Sequence, residues 1–212
     1  MLETIEATFS YDDEGNLIQK VEKNGYTWKY EYNGNGMMSK AISFSQDKSI
    51  LKEVHFMYDP LGRRVAKVTK FLWDGNTILH EWNITKESNP SQPTKEELTT
   101  WIFDADTFIP TAKLTSEGSY SIITDHLGTP VSAYDECGSL IWSAELDIYG
   151  REKEFTDNEK IGGYTCKEEF SVDFIPFRFQ GQYHDLKTRL YYNRFRHYSP
   201  DMGMYTQQDP IG

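Results

Sequence analysis

The sequence predicts an all-β fold, a ribbon of β-hairpins with little helix, and three observations carry that reading. Aromatic residues make up 15% of the 212-residue chain, with fourteen Tyr, twelve Phe and five Trp against an apolar share of 38%. Rings in this proportion suit half-buried pleated strands better than helices. Short runs such as Tyr26-Thr27-Trp28-Lys29-Tyr30-Glu31-Tyr32 and Val65-Ala66-Lys67-Val68-Thr69-Lys70-Phe71 alternate with a period of two, as half-buried strands do. A turn signal, Tyr-Asp-x-x-Gly, also returns along the chain, and fixed self-similarity marks a repeat architecture.

The first copies are Tyr11-Asp12-Asp13-Glu14-Gly15, the looser Tyr32-Asn33-Gly34-Asn35-Gly36, and Tyr58-Asp59-Pro60-Leu61-Gly62-Arg63-Arg64. In each the Tyr ends an incoming strand, the Asp side chain accepts hydrogen bonds from turn amides, and the Gly supplies a positive φ. The signal returns at Asp125-His126-Leu127-Gly128, at Tyr134-Asp135-Glu136-Cys137-Gly138, and loosely at Tyr198-Ser199-Pro200-Asp201-Met202-Gly203.

Four segments follow from this pattern. Residues 1–76 read as hairpin repeats. Residues 77–150 read as further strands, with a polar loop near 86–97 whose SNPSQPTKEE text is a loop by composition. Residues 151–176 are charge-rich, lack a clean period, and read as an insertion or linker. Residues 177–212, FRFQGQYHDLKTRLYYNRFRHYSPDMGMYTQQDPIG, form a dense terminal motif of aromatics, arginines and turn residues.

The net charge of −11 argues against a nucleic-acid partner, because phosphate binding relies on clustered basic residues. Arg189, Arg194 and Arg196 interleave with Tyr191, Tyr192, Phe195 and Tyr198, which reads as cation–π packing between strands. Cys137 and Cys166 lack metal-ligand spacing, so no metal, no cofactor and reduced thiols are expected. The acidic N-terminus does not resemble a signal peptide, and no run reaches the length of a membrane span. Cytoplasmic synthesis followed by signal-peptide-independent export is the expectation.

The blocks Tyr58-Asp59-Pro60-Leu61-Gly62-Arg63-Arg64, Leu72-Trp73-Asp74-Gly75, Asp125-His126-Leu127-Gly128-Thr129-Pro130 and Phe177-Arg178-Phe179-Gln180-Gly181-Gln182-Tyr183, running on to Gln208-Asp209-Pro210-Ile211-Gly212, occur in a specific order. In that order the chain resembles the C-terminal end of RHS-repeat, or YD-repeat, proteins. The resemblance implies a YD-repeat β-hairpin ribbon, one segment of a spiralling β-sheet shell that encloses a polymorphic C-terminal toxin. Bacterial competition effectors and the C component of insecticidal Tc toxins are similar. Implied partners are the upstream shell, the downstream toxin and secretion-system delivery proteins. Self-association through open strand edges is a further expectation, with Lys20, Lys23, Lys29 and Lys40 as candidate guards of such edges.

The family's terminal core also acts as an aspartyl autoprotease. Carried over by position, its catalytic aspartate is Asp209 and its arginine is Arg196. Such chemistry needs one carboxylate as base and a second, protonated acid, and Arg196 would hold the charged partner ionised. Three positions depart from the family pattern: Ser199 stands for Asp, Met204 for Arg, and Arg189 for a turn Gly. The resemblance places the second aspartate and the scissile bond beyond Gly212, so the chain is expected to be a scaffold without protease activity of its own. Asp209 also reads simply as a turn residue before Pro210. The Asp125-His126 pair reads as a turn rather than a catalytic pair, because neighbouring strand residues face opposite ways.

A flat sheet of 212 residues tiles at most ~3,400 Å², at about 16 Å² per residue. A shell around a ~120-residue toxin needs roughly 8,000 Å². One copy therefore forms part of a cage at most. A third reading, an adhesive or glycan-binding repeat, requires flat rings at the surface.

Overall fold

The computed structural model describes residues 2–3, 7–66, 69–83, 98–153 and 174–209. The polar loop near 86–97, most of the 151–176 linker, Cys166 and Pro210 to Gly212 lie outside them. Nineteen strands and no helix occur among the described residues. In chain order they are β1 (Leu2–Glu3), β2 (Ala7–Tyr11), β3 (Leu17–Glu22), β4 (Thr27–Tyr32), β5 (Met38–Phe44), β6 (Ile50–His55), β7 (Met57–Tyr58) and β8 (Arg64–Ala66). There follow β9 (Thr69–Asp74), β10 (Thr77–Asn83), β11 (Thr99–Phe103), β12 (Pro110–Leu114), β13 (Ser119–Thr124), β14 (Pro130–Tyr134) and β15 (Leu140–Ser143). The last four are β16 (Tyr183–Asp185), β17 (Leu190–Asn193), β18 (Arg196–Ser199) and β19 (Met204–Tyr205).

The chain forms two compact units, one of Met1–Lys67 with Asp185–Gly212 and one of Val68–His184. In the first, β1 to β6 lie side by side in sequence order, every neighbour antiparallel. The hairpin β7–β8 and the meander β17–β18–β19 complete that unit. In the second, β9 to β15 form a meander in the same sequential manner.

Local sequence explains this order. On β4, Trp28 and Tyr30 are buried while Lys29 and Glu31 are exposed, the alternation that a pleated strand with one dry face requires. Phe9, Leu17, Trp28, Tyr30, Met38, Val54 and Phe56 make the core of the first unit. Phe71, Ile78, Trp101, Ile122, Trp142, Ile175 and Phe177 make that of the second.

The turns repeat one geometry. Asp12 Oδ1 accepts from the amides of Glu14 and Asn16 at 3.0 and 2.8 Å. Asp59, Asp125, Asp135 and Asp147 hold the amides two and four residues ahead in the same way. Gly15, Gly62, Gly128, Gly138 and Gly150 take φ of 83, 77, 81, 77 and 82°, a region closed to most side chains. The residue that closes each strand falls where the register shifts, pairing as Tyr11↔Leu17, Tyr32↔Met38, Tyr58↔Arg64 and Tyr134↔Leu140. The extra residue is a bulge that sharpens twist and redirects the chain.

One expectation is corrected. Lys20, Lys29 and Lys40 lie on β3, β4 and β5, interior strands of the six-stranded sheet, so they guard no edge. Lys20 instead pairs with Asp201 at 2.8 Å, and Lys40 with Glu53 at 2.8 Å.

Candidate functional site

The terminal motif closes the first unit by polar stitches. The Leu17 amide donates to the Thr206 carbonyl at 2.6 Å, and Gln207 Nε2 donates to the carbonyls of Phe195 and Gly36 at 3.2 and 3.4 Å. Tyr32 and Tyr58, which end their strands, donate their hydroxyls to the carbonyls of Leu17 and Met38 at 2.9 and 2.8 Å. Burial pushes both phenols up, well out of the ordinary tyrosine range, so they stay protonated donors. A Cβ at Gly62 would lie 2.6 Å from the Phe195 ring, so the third turn and the terminal motif meet too closely for any other residue.

At the centre of this closure Arg64 and Asp185 form an ion pair at 3.0 Å with both side chains fully buried. The Arg64 guanidinium lies 4.3 Å from the centre of the Tyr192 ring, and the Arg64 amide donates to the Tyr192 hydroxyl at 2.7 Å. Asp185 Oδ1 accepts from the amides of Lys187 and Thr188 at 3.2 and 3.4 Å. The buried Tyr192 phenol is raised to about 12 by desolvation, with the Arg64 charge pulling the other way. His197, also fully buried, sits between the Phe56 and Tyr192 rings at 5.1 and 5.6 Å.

Sequence reasoning read Arg64 only as the end of a turn block. One signal was available: adjacent Arg63 and Arg64 enter a strand, so they face opposite ways. Arg63 stays at the turn with Asp59 at 2.7 Å, and Arg64 goes inward, where a buried charge requires a partner.

In the second unit Arg178 plays a comparable part. Its guanidinium donates to the carbonyls of Ile175 and Phe177 at 2.8 and 2.9 Å, reaches Nδ1 of His184 at 2.9 Å, and pairs with Glu152. Phe177 stands edge-on to Trp101, Phe103 and Tyr183, with ring centres 4.8, 5.2 and 5.9 Å away. Tyr183 donates its hydroxyl to Glu81 at 2.8 Å.

Arg196 and Asp209 come together. Arg196 opens β18 with its guanidinium over the Tyr205 ring, 3.7 Å from the centre, and its Nη2 lies 3.7 Å from Asp209 Oδ2. Their side chains are 30% and 42% exposed. At that distance the contact is an ion pair rather than a hydrogen bond, and water screens it. Among the described residues neither partner has a second ion pair. Arg189 takes φ of 58°, the left-handed conformation expected of a residue standing in a turn glycine's place. Asp125 is tied to its turn amides and His126 is exposed on the turn. Among the described residues no three His, Cys, Asp or Glu side chains group as a metal site, and no helix is long and apolar enough to cross a membrane. All five tryptophans are buried or half-buried, whereas Tyr26 and Tyr149 are 40% and 44% exposed.

Repeated Tyr-Asp-x-x-Gly hairpins in sequential meanders, closed by an aromatic and arginine-rich motif, define a YD-repeat shell segment. The chain belongs to the Teneurin YD-shell family, whose family model matches residues 2–211. It is 31% identical over 96% of its length to a protein named double-stranded DNA deaminase toxin A from Burkholderia cenocepacia, covering 15% of that protein. Toxin protein Tse5 from Pseudomonas aeruginosa is 29% identical over 96% of the chain, with 17% of the relative covered. Teneurin-1 of Gallus gallus is 26% identical over 91% of the chain and 7% of its own length. The chain thus spans a small fraction of these relatives. The crystal structure of TcdB2-TccC3-Cdc42 superposes on 98% of the chain and 9% of its own, at a TM-score of 0.49 and 17% identity.

Proposed function

We propose that this chain is the C-terminal core of an RHS-repeat shell, a structural scaffold for a polymorphic toxin carried elsewhere in the parent protein. The observation that carries the reading is the closure of the first unit, where the terminal motif caps the YD turns through the buried Arg64–Asp185 pair. Relatives named for deaminase and deoxyribonuclease activities share this same stretch, which supports a common scaffold beside variable activities. On this reading residues 177–212 are the core motif and residues 151–176 a linker. The partners are an upstream shell, a downstream toxin and delivery proteins, and the parent is made in the cytoplasm before signal-peptide-independent export.

Limited proteolysis of the parent protein tests the proposal. The toxin segment should resist digestion in the wild type and become sensitive when Asp185→Ala opens the closure. Equal digestion of both would overturn it.

The Arg196–Asp209 contact at 3.7 Å favours a second reading, aspartyl autoproteolysis in a longer chain. With native sequence added after Gly212, mass spectrometry should find a cut that Asp209→Asn abolishes. An uncut wild type would rule the reading out.

A further inference from the structure

Asparagine followed by glycine occurs three times, at Asn24-Gly25, Asn33-Gly34 and Asn35-Gly36. In such a pair the glycine amide nitrogen can attack the asparagine Cγ, because no Cβ on the glycine hinders the approach. The new N–Cγ bond closes a cyclic succinimide, and the side-chain nitrogen leaves as ammonia. Water then opens the ring at Cγ, giving aspartate, or at the backbone carbonyl, giving isoaspartate. Asparagine and water become a carboxylic acid and ammonia, and no oxidant or cofactor is needed.

The fold treats the three pairs differently. The amide nitrogens of Gly25 and Gly36 close their turns, donating to the carbonyls of Glu22 and Asn33 at 2.8 and 2.9 Å. The asparagines before them are engaged as well: Asn24 Oδ1 accepts from the Tyr26 amide at 3.1 Å, and Asn35 Oδ1 from the Met37 amide at 3.3 Å. Asn33 and Gly34 are exposed, and among the described residues no hydrogen bond holds the Asn33 side chain or the Gly34 amide. Nothing lies within 4 Å of the place a Cβ on Gly34 would take, so the attacking nitrogen has room to move.

The structure assigns Asn33 as a site of spontaneous deamidation, whose aspartate product completes the turn. Asn33 stands at the aspartate position of Tyr32-Asn33-Gly34-Asn35-Gly36. At Asp12, Asp59, Asp125, Asp135 and Asp147 the carboxylate takes the amides two and four residues ahead, at 2.8 to 3.0 Å. In the Asn33 turn the amide four residues ahead, that of Met37, goes to Asn35 over a longer bond. An aspartate at position 33 takes the amides of Asn35 and Met37 in the manner of the other turns. The Gly36 carbonyl of this turn accepts from Gln207 Nε2 at 3.4 Å, so a firmer turn steadies the closure by the terminal motif. The closure thus strengthens as the molecule ages.

Purified protein, aged in mildly alkaline buffer and mapped by mass spectrometry with electron-transfer fragmentation, should convert at Asn33 ahead of Asn24 and Asn35. A lead of roughly fivefold is expected, the factor by which one hydrogen bond of ordinary strength holds back an amide nitrogen. In urea the lead should vanish, because the fold creates it. Equal conversion of all three in the folded protein, or a lead that persists in urea, would overturn the site. Gly34→Ala, made where there is open space, should slow the conversion, and an unchanged rate would count against the mechanism. Asn33→Asp should raise the urea midpoint, whereas Asn24→Asp, which puts the same charge beside Glu22, should not. A midpoint unmoved or lowered by Asn33→Asp would overturn the role of the product.

Discussion

The two compact units face one problem, the closure of a β-meander, and meet it with different chemistry. The first is closed by polar groups: Arg64, Asp185, His197, Thr206 and Gln207 are all buried. The second is closed mainly by rings, with Phe177 edge-on to three aromatic neighbours, around one buried charge, Arg178. Ring packing is forgiving in register, because apolar contact is non-directional. A buried ion pair with hydrogen bonds tolerates few alternative placements. The polar closure therefore fixes where the terminal motif sits, and the aromatic closure mainly contributes burial.

The largest test removes one charge. Asp185→Ala leaves Arg64 buried without its carboxylate and should destabilise by about 3 to 5 kcal/mol, read from urea unfolding and from hydrogen exchange in residues 7–66 and 190–209. Replacing Arg64 and Asp185 together by Met and Leu should recover most of the loss. If the double replacement is as damaging as the single one, the pair's hydrogen bonds matter more than its charge.

Phe177→Leu should come next. It removes three edge contacts worth about 0.5 to 1.5 kcal/mol each, so a loss of about 2 kcal/mol is expected. Faster exchange should appear in β9 to β15, and a loss confined to the first unit would break the comparison.

Arg189→Gly tests a smaller effect of opposite sign. A non-glycine residue at φ of 58° costs about 1 kcal/mol, partly offset by glycine's greater freedom when unfolded. A rise in the urea midpoint worth ~0.5 kcal/mol is expected. An unchanged or lower midpoint would show that the arginine side chain compensates the strain.

The smallest effect is shared by turns in both units. Partial burial would raise the carboxyls of Asp12, Asp59 and Asp147, but hydrogen bonds from turn amides and from Asn16, Arg63 and Arg151 hold each below the ordinary range. A lowered folded pKa means that the unfolded chain binds more protons as pH falls. The contribution is complete above the ordinary aspartate value near ~4 and is lost as pH falls through the lowered values. Urea midpoints should therefore hold from neutral pH to about pH 5 and decline below it. Asp59→Asn should flatten part of the decline, and a midpoint that rises on acidification would contradict the turn chemistry.

These turns were the most legible part of the sequence because their chemistry is local. An Asp, a Gly two positions beyond the next residue, and the amides between them sit within one short segment. The turn at Asp147 repeats the Asp-x-x-Gly-Arg text of Asp59 to Arg63, but its Tyr follows the Asp rather than preceding it, so the pattern missed it. The turn at Ser45 to Lys48 has Lys48 at φ of 64° where a Gly would be expected, and it carried no signal. Arg196 and Asp209, which lie 3.7 Å apart, were named by position in a known motif. Arg64 and Asp185 were not, because no local rule links two residues this far apart; their meeting is a property of the closed unit.

The division of the chain has a consequence for the timing of its synthesis. Residues 68–184 form one contiguous unit, whereas the other unit needs residues 1–67 and residues 185–212 together. Neighbour-to-neighbour hairpins carry low contact order and form early. As the chain leaves the ribosome, the first six strands can therefore pair at once and the middle unit can finish whole. Arg64 must wait for Asp185, so the buried charge pair acts as a clock: the earlier repeats lock only after nearly all of these residues have been made.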